Sequence, residues 1–176
     1  MRTFIWGHDS LGHMKEQLKT CVLPELPIVG YLKLTSKDGK NLFSIEVVKE
    51  CRPDVLDPFF EMCYGELLKF LSGKSKEISI PLDFSSTTPF QLKVLKAMKE
   101  IPYGKIATYK DLADKLKSKG FQAIGSACGR NPFMLIYPCH RVLGTNNPGG
   151  FAHGLEMKRA LLELEGLDAT YLHRWR

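Results

Sequence analysis

The chain has 176 residues, room for one ordinary domain or two small ones, and its 44% hydrophobic and 25% charged residues are normal for a globular protein. No apolar run approaches the roughly 20 residues of a membrane-spanning helix, which excludes an integral helical membrane protein. The net charge of +6 is uneven: residues 1–83 carry 11 Lys+Arg against 12 Asp+Glu, and residues 84–176 carry 14 against 7. A neutral front half and a basic back half suggest that the back half faces a polyanion, although a well-solvated basic surface would read the same way.

In chain order, Met1 to Ser10 holds Arg2, Trp6, His8 and Asp9 and lacks the apolar core of a secretion signal, so the expectation is a soluble intracellular protein. His8, His13 and Cys21 could be three metal ligands, but their irregular spacing favours ordinary surface and core roles, and no metal is expected. Ile28 to Thr35 and Asn41 to Val48 are rich in strand-forming residues and flank an Asp38-Gly39 hairpin signal. Asp57-Pro58 opens a helix through Phe59, Cys63, Leu67 and Phe70 that Gly73 ends. Lys74 to Thr88 reads as a weak strand plus linker.

The second half carries more signals. Thr88-Pro89 begins a helix with Phe90, Val94, Met98 and Ile101 on one stripe, and residues 109–117 form a short second helix. A turn, Lys117 to Gly120, leads to a third helix, Gln122-Ala123-Ile124-Gly125-Ser126-Ala127-Cys128-Gly129-Arg130. Two short helices joined by a tight turn have the form of a helix-turn-helix. The third helix has almost only small side chains, and each of its glycines costs about 1 kcal/mol relative to alanine. Something must therefore come close to its backbone, either a packed neighbouring helix or a DNA groove. In the second case Lys105, Lys110, Lys117, Lys119 and Arg130 would meet phosphates. So few long side chains suit a narrow groove entered without sequence preference better than base reading in the major groove.

Asn131-Pro132 stops that helix, and an apolar run leads into Pro138-Cys139-His140-Arg141-Val142. Five cysteines, Cys21, Cys51, Cys63, Cys128 and Cys139, with no C-x-x-C pair, make neither a disulfide framework nor a zinc ribbon. Cys139 stands out because a base and a cation directly follow it, and a cysteine nucleophile needs such neighbours to lower its pKa. In an extended segment, however, adjacent side chains point opposite ways, so adjacency alone does not establish contact. Gly154 to Gly166 is a further helix. Glu165, at its C-terminal end, is disfavoured by the helix dipole; a positive partner such as His140 would outweigh this, but by itself the position reads as a solvated carboxylate.

Taken together, Ile101-Pro102-Tyr103-Gly104, Thr108-Tyr109, Gly125, Arg130-Asn131-Pro132, Pro138-Cys139-His140-Arg141-Val142 and Leu161-Leu162-Glu163-Leu164-Glu165-Gly166 resemble the O6-alkylguanine-DNA alkyltransferase family over residues 87–167. The resemblance implies an α+β protein: a sheet-and-helix domain over residues 1–83, then a helical, winged-helix-turn-helix-like domain over 84–176 that binds DNA and carries the alkyl acceptor. It implies single-turnover transfer of a methyl or larger alkyl group from guanine O6, and from thymine O4, to Cys139. His140 would activate the thiol through a water and Glu165 would orient the imidazole. Asn131 would fix the active-site segment, and Tyr109 would hydrogen-bond guanine N3. The carbonyls of Cys139 and Val142 would accept from the base's amino group, and the Ala152 amide would donate toward O6, with Phe151 beside it. Gln122, Ala123, Gly125, Ser126, Ala127 and Arg130, together with Arg141, would face double-stranded DNA through the minor groove, with the damaged nucleotide flipped out. No metal or soluble cofactor is implied; a monomer is expected, cytoplasmic in a prokaryote and nuclear in a eukaryote.

The chain departs from the family pattern at three places. Gln122 stands where an arginine usually fills the gap left by the flipped base. The loop from Gly144 to Gly150 is one residue shorter than in some relatives, with Phe151 in place of a frequent tyrosine. His153 takes a position often held by glycine at the pocket rim. Two other readings compete with alkyl transfer. A DNA-damage sensor without chemistry would not need the thiol, and sensor relatives replace it. A Cys-His hydrolase would need an oxyanion hole and a base placed for turnover, and the sequence suggests neither.

Overall fold

Gly39 takes the left-handed conformation (φ 69°). The Asp38 carboxylate before it accepts from the Lys40 and Asn41 amides, both at 2.8 Å. This turn joins β2 (Tyr31–Ser36) to β3 (Leu42–Val48) in antiparallel register, Leu34 opposite Ile45, with a bulge at Thr35/Ser36. The computed structural model describes residues 18–49 and 52–168, so His8 and His13 lie outside the described residues. Within them a third strand, β1 (Lys19–Val22), pairs antiparallel with β2 and gives the order β1-β2-β3.

Helix α1 (Pro58–Leu71) starts as its residues require: the Asp57 carboxylate caps the Phe59 and Phe60 amides, both at 3.0 Å, and Pro58 has no amide to satisfy. Phe60, Cys63, Leu67, Phe70 and Leu71 form its buried stripe. The expected strand in Lys74 to Thr88 does not form. Only Leu82 bridges, in parallel, to Leu42. Pro81 has no N–H to continue a ladder. Its carbonyl accepts from Leu42 and the Asp83 amide donates back to the Leu42 carbonyl, both at 2.8 Å. Ile78 and Ile80 are buried without belonging to a sheet.

Helix α2 (Pro89–Lys99) is capped by the Thr88 hydroxyl, and α3 (Tyr109–Lys115) by a capping box between Thr108 and Asp111. Helix α4 (Phe121–Gly129) begins at Gly120 with no side-chain cap and buries Ile124, Ala127 and Cys128. Helix α5 (Leu155–Leu164) closes the described chain. Two short parallel strands, β4 (Ala107–Thr108) and β5 (Val142–Leu143), pair with each other, which the sequence did not announce. They set Tyr109, the first residue of α3, beside the segment that carries Cys139.

The core runs without interruption from Leu32 and Leu34 of the sheet through Phe70, Val94 and Met98 to Phe133 and Leu161. The Ile45 amide of β3 donates to the Pro132 carbonyl at 2.8 Å, so the sheet grips the start of the active-site segment. Among the described residues no helix is long and apolar enough to cross a membrane.

Candidate active site

The segment from Asn131 to Val142 is held from within. Asn131 Nδ2 donates to the Tyr137 carbonyl at 2.7 Å, and its Oδ1 accepts from the Phe133 amide at 3.0 Å. Leu135 adopts φ 71°, a left-handed conformation costly for a γ-branched residue and kept here by full burial. Phe84, Phe133 and Tyr137 pack their rings together beneath the segment, Phe84 edge-on to the other two.

Cys139–Arg141 is a single 3-10 turn, not an extended strand. Its side chains therefore do not alternate as they would along a strand. Cys139 opens onto a cavity of about 220 Å³ walled by Gly125, Cys128 and Gly129 of α4 on one side and by Gly150 to His153 on the other. Tyr109, Asn131 and Met134 complete the lining. Burial pushes the Cys139 thiol up from its ordinary pKa, against the Asn131 hydrogen bond and the Lys158 charge, which pull it down.

His140 and Arg141 turn the other way, into the protein, where both are buried. His140 Nε2 lies 2.7 Å from Glu165 Oε1. Its Nδ1 is buried and has no protein partner. The Arg141 guanidinium meets both Glu165 oxygens at 2.9–3.0 Å and donates to the Ile101 carbonyl at 2.7 Å. The Gly104 amide adds a fourth donor to Glu165 at 3.0 Å. Glu165, which taken alone reads as solvated, is thus buried at the helix end because four donors outweigh the dipole. Burial would raise its pKa; the hydrogen bonds from His140 and Arg141 reverse that and hold it below the ordinary carboxylate value. Burial lowers His140, against the hydrogen bond and charge of Glu165, so the ring is neutral near pH 7.

Arg141, grouped by the sequence with the DNA-facing residues, does not face outward; its charge is consumed by Glu165, and it buttresses the imidazole from inside. Val142 is wholly buried, and its carbonyl accepts from Lys158 Nζ at 2.7 Å. Gly125, Phe151 and Ala152 line the cavity with Cys139, Asn131 and Tyr109. Ala123, Ser126, Ala127 and Arg130 instead edge a separate groove beside Phe90 and Gln91. Gln122 is exposed at the start of α4, and the Arg130 guanidinium folds back onto Ser126 Oγ at 2.9 Å.

Lys158 is the site residue that the sequence reading missed. It is fully buried, and its ammonium reaches the carbonyls of Val142, Pro148 and Gly150 at 2.7, 2.6 and 3.4 Å. Burial lowers its pKa to about 8, against the pull of the Cys139 and Cys128 thiols. A signal existed: Lys158 occupies the same helical stripe as Leu161, Leu162 and Glu165, where a solvated lysine does not belong. No group of three possible metal ligands occurs among the described residues.

A nucleophile-bearing turn, a His–Glu–Arg network behind it and a short-side-chain helix in front define a class: a cysteine alkyl acceptor built into a small mixed α/β protein. Residues 89–167 match the family described as 6-O-methylguanine DNA methyltransferase, DNA binding domain. A methylated-DNA–protein-cysteine methyltransferase of Saccharolobus solfataricus is 42% identical over 140 residues, 79% of this chain and 91% of the relative. The crystal structure of Mycobacterium tuberculosis OGT in complex with DNA superposes with a TM-score of 0.71 at 33% identity, covering 84% of this chain and 91% of that one. The O6-methylguanine-DNA methyltransferase of Pyrococcus kodakaraensis strain KOD1 gives 0.64 at 26% identity, covering 86% and 100%. The chain belongs to the methylated-DNA–protein-cysteine methyltransferase family.

Proposed function

We propose that this protein repairs DNA by direct reversal, moving the alkyl group from O6 of guanine, and from O4 of thymine, irreversibly onto Cys139 Sγ. The observation that carries the reading is the placement of Cys139 on a cavity with the buried His140–Glu165–Arg141 network directly behind it. On this reading residues 84–176 are the DNA-binding and alkyl-acceptor domain, of winged-helix-turn-helix type, and residues 1–83 a sheet-and-helix domain. The protein acts as a monomer on double-stranded DNA. Helix α4 enters the minor groove without sequence preference, because its small side chains allow close approach, and the damaged nucleotide is flipped into the cavity.

The thiol starts protonated, since burial raises its pKa. His140 starts neutral, and Nδ1 is the ring nitrogen left after Nε2 meets Glu165. Through one water, Nδ1 takes the thiol proton while Glu165 stabilises the imidazolium. Sγ attacks the saturated carbon in line as the carbon–O6 bond breaks. Tyr109 hydrogen-bonds N3 and passes its phenolic proton there as the carbon–O6 bond breaks, so guanine leaves neutral and the proton held on His140 balances the tyrosinate, while the Ala152 amide and the Cys139 and Val142 carbonyls hold the base. Phe151 packs along it. The thioether has no route back, so each molecule reacts once and needs no metal or cofactor.

The test is intact mass after incubation with a duplex containing O6-methylguanine. One added methyl, mapped to Cys139 and absent in Cys139→Ser, is the expected result. No mass change in folded, duplex-bound protein would leave a damage sensor instead. More than one turnover per molecule would point to a hydrolase. Two variants address the departures from the family pattern. Gln122→Arg should tighten duplex binding, and unchanged affinity would count against a gap-filling role at that position. His153→Gly should speed transfer from O6-benzylguanine relative to O6-methylguanine; equal rates in the unmodified protein would remove the argument for a narrowed rim.

A further inference from the structure

His153 shares the cavity with Cys139, half-buried, its ring edge-on to Phe151 at 5.6 Å. Among the described residues its ring makes no hydrogen bond, although it lines a cavity built to hold a ligand. No acidic side chain lines that cavity. The nearest carboxylate in the network behind it, Glu165, is spent on Arg141 and His140, and the Lys158 ammonium lies beneath the loop that carries His153. A substituent entering past the rim thus meets, among the described residues, an imidazole with no hydrogen-bond partner and a lining that holds no carboxylate to oppose an anion.

On the alkyltransferase reading above, we propose that His153 is a specificity-determining residue that selects O6 adducts ending in a carboxylate, such as carboxymethyl, by donating a hydrogen bond to that group. The carboxylate oxygen accepts from the imidazole, which offsets its repulsion by the approaching thiolate. Transfer itself is unchanged in kind: a carbon–sulfur bond forms, the carbon–O6 bond breaks, and the carboxylate stays on the transferred carbon. A hydrogen bond to an ionised acceptor is strong enough to shift such a preference by about tenfold.

The measurement is single-turnover transfer from three duplexes, carrying O6-methyl-, O6-carboxymethyl- and O6-carbamoylmethylguanine. The carbamoylmethyl group is the uncharged counterpart of carboxymethyl, equal in size and similarly activated. For each protein the charged and uncharged rates are divided by that protein's methyl rate, which removes general damage to the site. The ratio of carboxymethyl to carbamoylmethyl should fall about tenfold in His153→Phe, which keeps the bulk, and in His153→Gly, which does not. His153→Gln, which keeps a donor, should retain part of it. The same ratio in the parent protein and in His153→Phe would overturn the inference while leaving methyl transfer, and so the repair reading, intact. Absence of methyl transfer in the parent would overturn both.

Discussion

Glu165 accepts from His140, Arg141 and Gly104 with almost no access to water, so its charge and that of Arg141 depend on each other. Glu165→Gln would leave the buried guanidinium uncompensated and should cost about 3–5 kcal/mol in urea unfolding, with little change in m. The same network fixes the acid response. His140 is held below its ordinary value of 6.5, so the unfolded chain takes up this proton first, and stability should start to fall as pH drops through about 6.5. Glu165, held below its ordinary 4.5, contributes stability above that pH that is lost as pH falls through its folded value. Thermal unfolding of His140→Asn should show a smaller first decline, the part left being that of His153, which burial also holds below its ordinary value, and should keep the second. Cys139 and His140 drew notice by adjacency, but their roles came from the family pattern, since His140 turns into the protein and away from the cavity. Glu165 was legible only through the family pattern, because its own position at a helix end argues for solvent; the partners that hold it inside instead come from residues 24 to 61 positions away.

At the scale of elements, α4 trades helix propensity for access. A Cβ at Gly125 would meet nothing within 4 Å, yet the residue lines the cavity. Gly125→Leu should therefore leave the fold intact, with a Tm equal to or above that of the parent, and cut alkyl transfer at least tenfold by filling the groove. Calorimetry and single-turnover rates separate the two effects; a slow variant that is also unfolded would contradict the prediction. The hairpin, α1 and α2 were readable because their caps and turns are chemical, Asp38-Gly39, Asp57-Pro58 and Thr88-Pro89, and α3 because Tyr109, Leu112, Ala113 and Leu116 recur at helical spacing. Strand β1 was not, since Lys19 to Val22 has no period longer than its four residues and owes its conformation to β2. Lys74 to Thr88 misled for the opposite reason. Ile78 and Ile80 alternate as strand residues do, but Pro81 leaves a single bridge to pair with.

Across the whole molecule, charge and core divide differently. The positive charge gathers in residues 84–176, while the apolar core passes through both halves. If Lys105, Lys110, Lys117, Lys119 and Arg130 each meet one phosphate, log affinity for undamaged duplex should fall against log salt with a slope of about −4.5. Anisotropy titrations between 50 and 200 mM salt would measure it, and a slope near −1 would remove those five residues from the interface. The Ile45 to Pro132 bond makes the sheet a brace for the reacting segment, a long-range dependence that no local pattern in residues 18–49 encodes.

The Lys158 ammonium gathers three backbone carbonyls as a potassium or calcium ion would, but it is tethered to a helix and cannot be chelated or diluted away. The loop from Val142 to Gly150 therefore carries its own permanent counter-ion, and its shape should ignore EDTA and exchange of sodium for potassium. What can discharge this ion is alkali. Above about pH 8 the ammonium loses a proton and with it one of three donors, and amide exchange in the loop should rise there beyond its ordinary pH dependence. A lysine at this spot gives the protein an ion site that titrates.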